Sequence, residues 1–499
     1  MNSKNRISKY FYPVLIYALA VFVVVLNTSL IFDNVVWGDE AFSANTAKSS
    51  FRGILEILYY CDNHPPLHYM WTKLFGDIFG HTVLVYHLAA LVPFIIGIIL
   101  AVTFFRKRFG NLPAAFFIVI SGLGAFCLEY NMEIRMYSLA FLGVLGTFYF
   151  AYRVISSGKK SAYTGMVFWA LVAAYSHYYA LVTVGILMFV TGIAVWIKHR
   201  GKSWLKGLVT IAVFLVCYAP WLYFFFKAMK KISNNWWMTD ILSLRKTLSI
   251  VMGGKGINWL ILFLLVVLSA ILLIWESGLL SLKKENGKTV FTLQKPSVKN
   301  WSDEAYMVVV GLFTIIGTVG FAYFICYIFK PMLAQRYMYP LSAVTFGTLI
   351  VAMSRVLELL SSRGIRRLEK GVRGILLMFL VVFIGIGLEN FRAYKDVAVD
   401  QKNKTNATLS LIGEPAEDTI LVTNGVKHLG WTILPFYFPE TEFINGNCNC
   451  TEKDKFWYFN TVPLSDTEMN YLIEAGYHVI SYGQMQISQY PFLLYYVER

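Results

Sequence analysis

Long apolar segments separated by short polar ones make up most of the chain. Eleven of them are long enough, or nearly so, to cross a bilayer as helices. They lie near 11–32, 82–105, 112–129, 136–154, 161–177, 179–197, 207–226, 257–275, 305–329, 337–354 and 374–388. The first follows a basic start like that of a signal peptide, but it is too long and no small-residue cleavage site closes it, so we expect an uncleaved span. The pattern predicts an α-helical polytopic membrane protein.

Three polar regions are larger than a turn. Residues 33–81 are rich in Trp and Tyr, which predicts short helices lying in the membrane interface. Residues 227–256 form a second, basic loop that also contains Trp. Residues 389–499 have about the size of a small domain. The chain is therefore predicted to have a transmembrane module over 1–388 and a separate domain over 389–499.

The C-terminal region combines strand and helix patterns. The segments "DTILVTNG" and "HVISYG" are interpreted as strands, and "SDTEMNYLIEAG" as a helix. Ser465 or Asp466 would cap this helix and Gly476 would end it. This alternation predicts a small α/β domain.

The composition agrees with a membrane protein, and the distribution of charge predicts which parts of the chain lie on each side of the membrane. The chain of 499 residues is 57% apolar and only 15% charged, with a mean hydropathy of +0.56, unlike a soluble protein of this size. Its net charge of +15 would suggest a nucleic-acid partner in a soluble domain, but more than half of the Lys and Arg residues lie in alternate loops. Because cytoplasmic loops carry the positive residues, we expect a cytoplasmic N-terminus, an extracytoplasmic C-terminal domain and no nucleic-acid partner.

Two carboxylates follow the first span. Asp39 and Glu40, in "VVWGDEAFS", are predicted to lie outside the cytoplasm. Asp39 suits the N-cap of a following helix, and a solvated loop with such a cap is the simplest interpretation. The alternative is chemical, because a carboxylate at a membrane interface can act as general base toward an acceptor hydroxyl or amine.

A second cluster, "CDNHPPLHY", combines an acid, an amide and an imidazole. Its two prolines favour the start of a helix, so its histidines can be incidental to a structural turn. His64, protonated or donating from a ring nitrogen, can instead hold a phosphate, with Asp62 beside it.

Two further clusters are predicted at the same face. "LEYNMEIRMYS" carries Glu133, Arg135 and Tyr137. Ionisable residues at that depth are costly, which makes them functional candidates unless they form an internal ion pair. "KPMLAQRYMYP" carries Arg336 and Tyr337, which can bind a phosphate or place a snorkelling Arg in an aromatic belt.

Acids, cations and aromatic rings at one interface suit a substrate with a lipid tail, a phosphate and a sugar. Such a substrate would leave its tail in the bilayer and present its head outside the cytoplasm. His177, in "YSHYYA", is a weaker supporting candidate, because an interfacial histidine is more often satisfied by its neighbours.

In this order, the motifs "WGDEAFS", "DNHPPLHY", "EIRMYSL" and "QRYMYPL" resemble those of polytopic glycosyltransferases of the GT-C fold. They are most similar to bacterial family-39-like members, relatives of dolichyl-phosphate-mannose-protein mannosyltransferases and aminoarabinose transferases. The resemblance is most specific over 37–71 and 129–140. The resemblance covers spans 1–10 and implies that about eleven predicted transmembrane helices adopt the GT-C architecture. It also implies transfer of a sugar, with inversion, from a polyprenyl-phosphate donor to an extracytoplasmic protein, lipid or cell-wall polymer.

The resemblance also implies roles for individual residues. Asp39 matches the family's first-loop Asp, which is the general base or orients the acceptor, and Glu40 matches the second acid of the mannosyltransferase pair. His64 stands where aminoarabinose transferases carry a phosphate-binding Lys, a departure from that pattern. The remaining matches are the Glu-x-Arg-x-Tyr motif and the basic residue before the tenth span, here Glu133, Arg135, Tyr137 and Arg336.

Other functions remain compatible with the sequence. A flippase or transporter of lipid-linked saccharides predicts mid-span ionisable residues and often an internal repeat, but no repeat is found. An oligosaccharide polymerase or ligase would use a polyprenyl-diphosphate donor. No obligatory metal is expected, because the chain has no dense ligand cluster. A divalent metal remains an alternative, with the potential ligands Asp39, Asp62, His64 and Glu133.

Overall fold

The computed structural model describes residues 3–201, 203–232, 239–285, 288–293, 295–298, 301–417, 419–425 and 429–499. The contacts between residues divide the chain into two compact units. The first, here called the helical unit, comprises Met1–Asn27, Leu55–His68 and Ala90–Phe391. The second, the mixed unit, comprises Thr28–Ile54, Tyr69–Ala89 and Arg392–Arg499. The Trp pair of the predicted loop over 227–256 lies outside the described residues.

Helices dominate the described chain. They are α1 (Ser3–Leu30), α2 (Gly38–Ala47), α3 (Phe51–Tyr60), α4 (Leu67–Phe79), α5 (Val83–Leu100), α6 (Arg106–Phe109), α7 (Asn111–Leu123), α8 (Ala125–Tyr130), α9 (Tyr137–Ser157), α10 (Lys160–Ser176), α11 (Tyr178–His199), α12 (Ser203–Ile232), α13 (Leu244–Val251), α14 (Asn258–Glu276), α15 (Asp303–Ile328), α16 (Ser342–Ser362), α17 (Arg366–Ile412), α18 (Leu434–Tyr437) and α19 (Asp466–Glu474). A π-helical turn, Ala101–Phe105, joins α5 to α6, and a second π-helical turn, Leu429–Ile433, precedes α18. A 3-10 helix, Gln335–Leu341, leads into α16.

All eleven predicted apolar segments coincide with helices. Within the described residues, nine helices are long and apolar enough to cross a membrane, which makes the chain a multi-pass membrane protein as predicted. The two remaining segments form shorter helices, α7 with 13 residues and α10 with 17. The segment predicted over 112–129 is divided because Gly124 takes an extended conformation between α7 and α8. A Cβ there would lie 2.6 Å from the Gly253 carbonyl oxygen, so the break requires glycine.

The long polar region after the first span folds into helices. Residues 33–81 contain α2, α3 and α4, in agreement with the prediction of short helices. The prolines Pro65 and Pro66 immediately precede α4, where a missing backbone N–H costs no helical hydrogen bond.

The mixed unit contains a five-stranded sheet. Its strands are β3 (Thr419–Asn424), β4 (Phe443–Asn445), β5 (Lys455–Asn460), β6 (His478–Ile487) and β7 (Tyr490–Glu498); a separate antiparallel hairpin in the helical unit is formed by β1 (Leu280–Glu285) and β2 (Lys288–Leu293). The order is β4-β3-β5-β7-β6, with β3 parallel to β4 and β5, and β7 antiparallel to β5 and β6. The predicted α/β character of this region is confirmed.

One face of this sheet is covered by α19. Leu472 of α19 belongs to a buried cluster with Val422 of β3 and Tyr458 of β5. Ser465 is the N-cap, because its Oγ accepts a hydrogen bond from the Glu468 backbone N–H at 3.2 Å. Of the two caps left open by the sequence, the structure therefore selects Ser465.

Candidate functional site

The turn between α3 and α4 positions an acid against an imidazole. His64 Nδ1 and Asp62 Oδ1 are 2.9 Å apart, and both side chains are largely buried. The two prolines that follow restrict the backbone of this turn, so the pair is held close to the start of α4. The predicted association of Asp62 with His64 is present.

His177 lies at the centre of a ring cluster in the helical unit. It is the N-cap of α11 and is 2% exposed, and its Nδ1 accepts a hydrogen bond from the Tyr179 backbone N–H at 3.2 Å. Its ring centroid is 5.2 Å from that of Tyr337, 5.8 Å from Tyr137 and 6.1 Å from His64. Because Nδ1 accepts, Nε2 is the ring nitrogen that can donate to a ligand.

The segment before α16 contributes a cation and a second ring. Arg336 and Tyr337 are adjacent in the 3-10 helix, with the guanidinium 5.9 Å from the Tyr337 ring centroid. The Tyr179 ring stacks on Tyr337 at 5.9 Å, and its hydroxyl donates to the Met332 carbonyl at 3.1 Å. Arg336 also acts electrostatically on His177. The Tyr337 ring centroid also lies 6.3 Å from that of His64, which brings the fourth predicted motif next to the second.

The loop between α8 and α9 brings two buried charges into the same unit. Glu133 is 7% exposed and Arg135 is 4% exposed. The Arg135 backbone N–H donates to the Glu133 carbonyl at 2.6 Å, which turns the chain tightly between the two residues. Tyr137 begins α9 immediately afterwards and is fully buried against His177. The motif predicted from "EIRMYS" therefore lies at the ring cluster.

Burial and the Arg135 guanidinium together affect the charge state of a neighbouring histidine, His68. Burial, followed by the Arg135 guanidinium, lowers the pKa of His68 from its ordinary value of 6.5 to about 3. A hydrogen bond to the Ile134 carbonyl partly opposes this shift. His68 is therefore neutral at physiological pH and links the start of α4 to the loop before α9. Its motif was quoted in the sequence, but His68 was not among the predicted site residues.

A ladder of buried amides, which the sequence did not predict, supports this loop. Asn131 Nδ2 donates to Asn27 Oδ1 at 3.2 Å and to the Ser121 carbonyl at 3.0 Å. Asn131 Oδ1 accepts from the Tyr339 hydroxyl at 2.8 Å, and Asn27 Nδ2 donates to the Gly122 carbonyl at 2.8 Å. The sequence could have indicated a hydrogen-bonded partner for Asn27, because an Asn within an apolar span is costly unless it is hydrogen-bonded.

Asp39 and Glu40 belong to the mixed unit, at the start of α2. The helix begins at Gly38 and its N-cap is Trp37, so the interpretation of Asp39 as the N-cap is wrong. Glu40, three residues after the cap, accepts a hydrogen bond from the Trp37 backbone N–H at 3.2 Å and thus closes the first turn. Its other carboxylate oxygen lies 3.9 Å from His87 Nδ1. Glu40 is 3% exposed, whereas Asp39 is only half-buried.

Packing within the mixed unit holds α2 in place. Its alanines are fully buried, and Asn45 Nδ2 donates to the Thr432 carbonyl at 3.1 Å. The Lys48 ammonium lies 5.1 Å from the Phe436 ring centroid. The segment between β3 and β4 thus supports the helix that carries Asp39.

The structure therefore assembles one cluster of predicted residues in the helical unit, here called the phosphate cluster: Asp62, His64, Glu133, Arg135, Tyr137, His177, Arg336 and Tyr337. Asp39 and Glu40 are placed in the mixed unit. Among the described residues, no group of three or more His, Cys, Asp or Glu side chains is arranged to hold a metal ion.

Comparison with solved structures identifies the architecture as the polytopic GT-C fold. The chain is similar to the crystal structure of ArnT from Cupriavidus metallidurans bound to undecaprenyl phosphate, with a TM-score of 0.62, 13% sequence identity and coverage of 97% of both chains. It is also similar to that protein in the apo state, with a TM-score of 0.60, 13% identity and coverage of 98% of both chains. No protein-family model and no curated protein matches the chain.

Proposed function

We propose that the protein is an inverting glycosyltransferase that moves a sugar from a polyprenyl-phosphate donor to an acceptor outside the cytoplasm. The observation that carries this proposal is the phosphate cluster, in which two guanidinium groups and two imidazoles are gathered within one unit. It occurs on a fold shared with a protein whose structure was solved with undecaprenyl phosphate. Cationic and N–H donors of this kind bind phosphate oxygens.

The phosphate cluster would bind the donor and stabilise the leaving group. As the bond between the sugar C1 and the phosphate oxygen breaks, negative charge grows on the phosphate. Arg336 and Arg135 would offset this charge, and His177 would donate from Nε2. Asp62 would accept from Nδ1–H of a protonated His64, which orients the ring and leaves its Nε2–H to donate to the phosphate. His64 would thereby perform the role of the family's Lys.

On the acceptor side, Asp39 would be the general base. It would take the proton of the acceptor group while that group's electron pair forms the new bond to C1 and the polyprenyl phosphate departs. Attack opposite the leaving group inverts the anomeric carbon. Glu40 would position Asp39, because its carboxylate is buried and closes the first turn of α2.

A transfer assay on the purified full chain tests the proposal. We expect a labelled polyprenyl-monophosphate sugar, in detergent with envelope acceptors, to release polyprenyl phosphate. Asp39→Asn should lower this rate by roughly 10²- to 10⁴-fold, the usual contribution of a general base. Asp33→Asn is the matched control, since Asp33 is a half-buried carboxylate of the same region that lies 3.8 Å from Lys395; it should retain activity.

The assay also separates the alternatives. Consumption of donor in detergent, with no second compartment, distinguishes transfer from transport. Turnover of diphosphate donors alone would instead identify a polymerase or ligase. Full activity in Asp39→Asn would refute the assignment of the base.

A further inference from the structure

A groove in the helical unit takes no part in the phosphate cluster. Helices α9, α10, α11 and α12 line a shallow, partly open groove, mainly with apolar side chains such as Val154, Met166 and Val195. The helices α11 and α12 approach closely beside it, since a Cβ added to Gly207 would lie 3.3 Å from the Gly192 Cα. Both glycines line the groove, so its shape depends on the absence of side chains there.

The threonine side chains that line the groove already have hydrogen-bond partners within the protein. Thr191 Oγ1 donates to the Leu187 carbonyl at 2.6 Å, and Thr210 Oγ1 donates to the Lys206 carbonyl at 2.6 Å. With both hydroxyls satisfied inside their own helices, the groove suits a hydrocarbon chain better than a sugar or a nucleotide.

The groove opens near three helix ends that are strongly basic. Lys159 and Lys160 lie at the start of α10, Arg200 follows α11, and Lys206 lies in the first turn of α12. All four side chains are exposed, and none forms an ion pair with any described residue.

The acids at this end of the helices are already engaged. Asp303 forms an ion pair with Lys198, and Glu304 forms one with Arg108. The exposed rim of the groove therefore presents positive charge that acidic side chains of this region do not neutralise.

We propose that this groove binds an anionic phospholipid of the bilayer, with a hydrocarbon chain in the groove and the phosphate head at the basic rim. Burial of the chain against apolar residues and attraction of basic side chains to an anionic head both favour this occupant. The site is distinct from the phosphate cluster, because His177 is the N-cap of α11 and the rim lies at the other end of that helix. A helix of 22 residues separates the two by about 33 Å.

Photo-crosslinking of the full-length protein in bilayer nanodiscs tests this assignment. The probes are phosphatidylglycerol and phosphatidylcholine, each carrying a diazirine in one acyl chain, and crosslinked peptides are mapped by mass spectrometry. We expect phosphatidylglycerol to label peptides of α10 and α12 preferentially. In the double variant Lys160→Gln and Lys206→Gln, its labelling should fall by roughly tenfold, since each cation near an anionic head contributes several-fold. The double variant Arg366→Gln and Arg367→Gln, also in exposed basic residues, should leave it unchanged.

A second variant tests the groove itself. Gly192→Leu should block the chain and remove the excess of phosphatidylglycerol labelling over phosphatidylcholine labelling in these peptides. Gly185→Leu, on the same helix with open space around its Cα, should not. Equal labelling by the two lipids in the wild type, or undiminished labelling in the Lys160→Gln and Lys206→Gln variant, would overturn the proposal. Because the lysines are exposed, that variant remains a valid test if Gly192→Leu does not fold.

Discussion

Two adjacent carboxylates differ in their surroundings at the start of α2. The Glu40 carboxylate closes the first helical turn through the Trp37 N–H and lies near His87. Asp39 is half-buried and is the more accessible of the two. A base must reach both its substrate and the solvent, and a positioning residue must be fixed, so the surroundings favour Asp39 for the proton transfer.

The buried His68 of the helical unit predicts a pH effect on stability. Because His68 has a folded-state pKa of about 3 against 6.5 when unfolded, the unfolded chain takes up a proton that the folded chain does not. The contribution of His68 to the free energy of unfolding is therefore fully present above about pH 6.5. It is lost as the pH falls toward 3, by up to about 1.4 kcal/mol per pH unit. We expect His68→Gln, measured by thermal unfolding in detergent, to show a flatter decline over this range.

The exposed His478 provides the control for that measurement. His478→Gln should follow the wild-type curve, because this side chain is exposed. A wild-type slope in His68→Gln would mean that other groups carry the pH dependence.

At the scale of elements, the spans and two of the five strands of the C-terminal sheet, β3 and β6, were predicted, because apolar periodicity and turn residues are local signals. The break at Gly124 was not, since it depends on the approach of the Gly253 carbonyl from elsewhere in the chain. The central position of His177 was underestimated for the same reason: rings from three separate segments surround it. Long-range packing, rather than local pattern, determines these features.

The amide ladder makes a prediction at this scale. Asn131→Ala leaves the Asn27 amide and the Tyr339 hydroxyl without their shared partner in a buried site. We expect a loss of about 1–3 kcal/mol in the free energy of unfolding, seen as a lower midpoint of thermal unfolding in detergent. Tyr339→Phe, which removes a single donor, should cost less. The exposed Asn403 offers a control, and a loss in Asn403→Ala as large as that in Asn131→Ala would contradict the role of the ladder.

At the scale of the whole molecule, the number of spans bears on where the chemistry occurs. The sequence predicts eleven spans, and the described residues contain nine long apolar helices. Both numbers are odd, so both would place the two ends of the chain on opposite sides of the membrane. The number of membrane crossings stays odd only if the two shorter helices, α7 and α10, both cross the membrane or if neither crosses it. The proposed function requires the same arrangement, with the C-terminal region and Asp39 outside the cytoplasm.

Cysteine labelling in intact cells tests this orientation. Cys450 is exposed in the C-terminal region, and Cys61 is exposed in the turn after α3. Since both are expected outside the cytoplasm, a membrane-impermeant maleimide should label them without permeabilisation, and Cys450→Ser with Cys61→Ser should abolish this labelling. Ser361→Cys in that background, at the basic end of α16, should react only after permeabilisation, because loops rich in Arg remain in the cytoplasm. The reverse pattern would place Asp39 in the cytoplasm, where an acceptor of the cell envelope could not reach it.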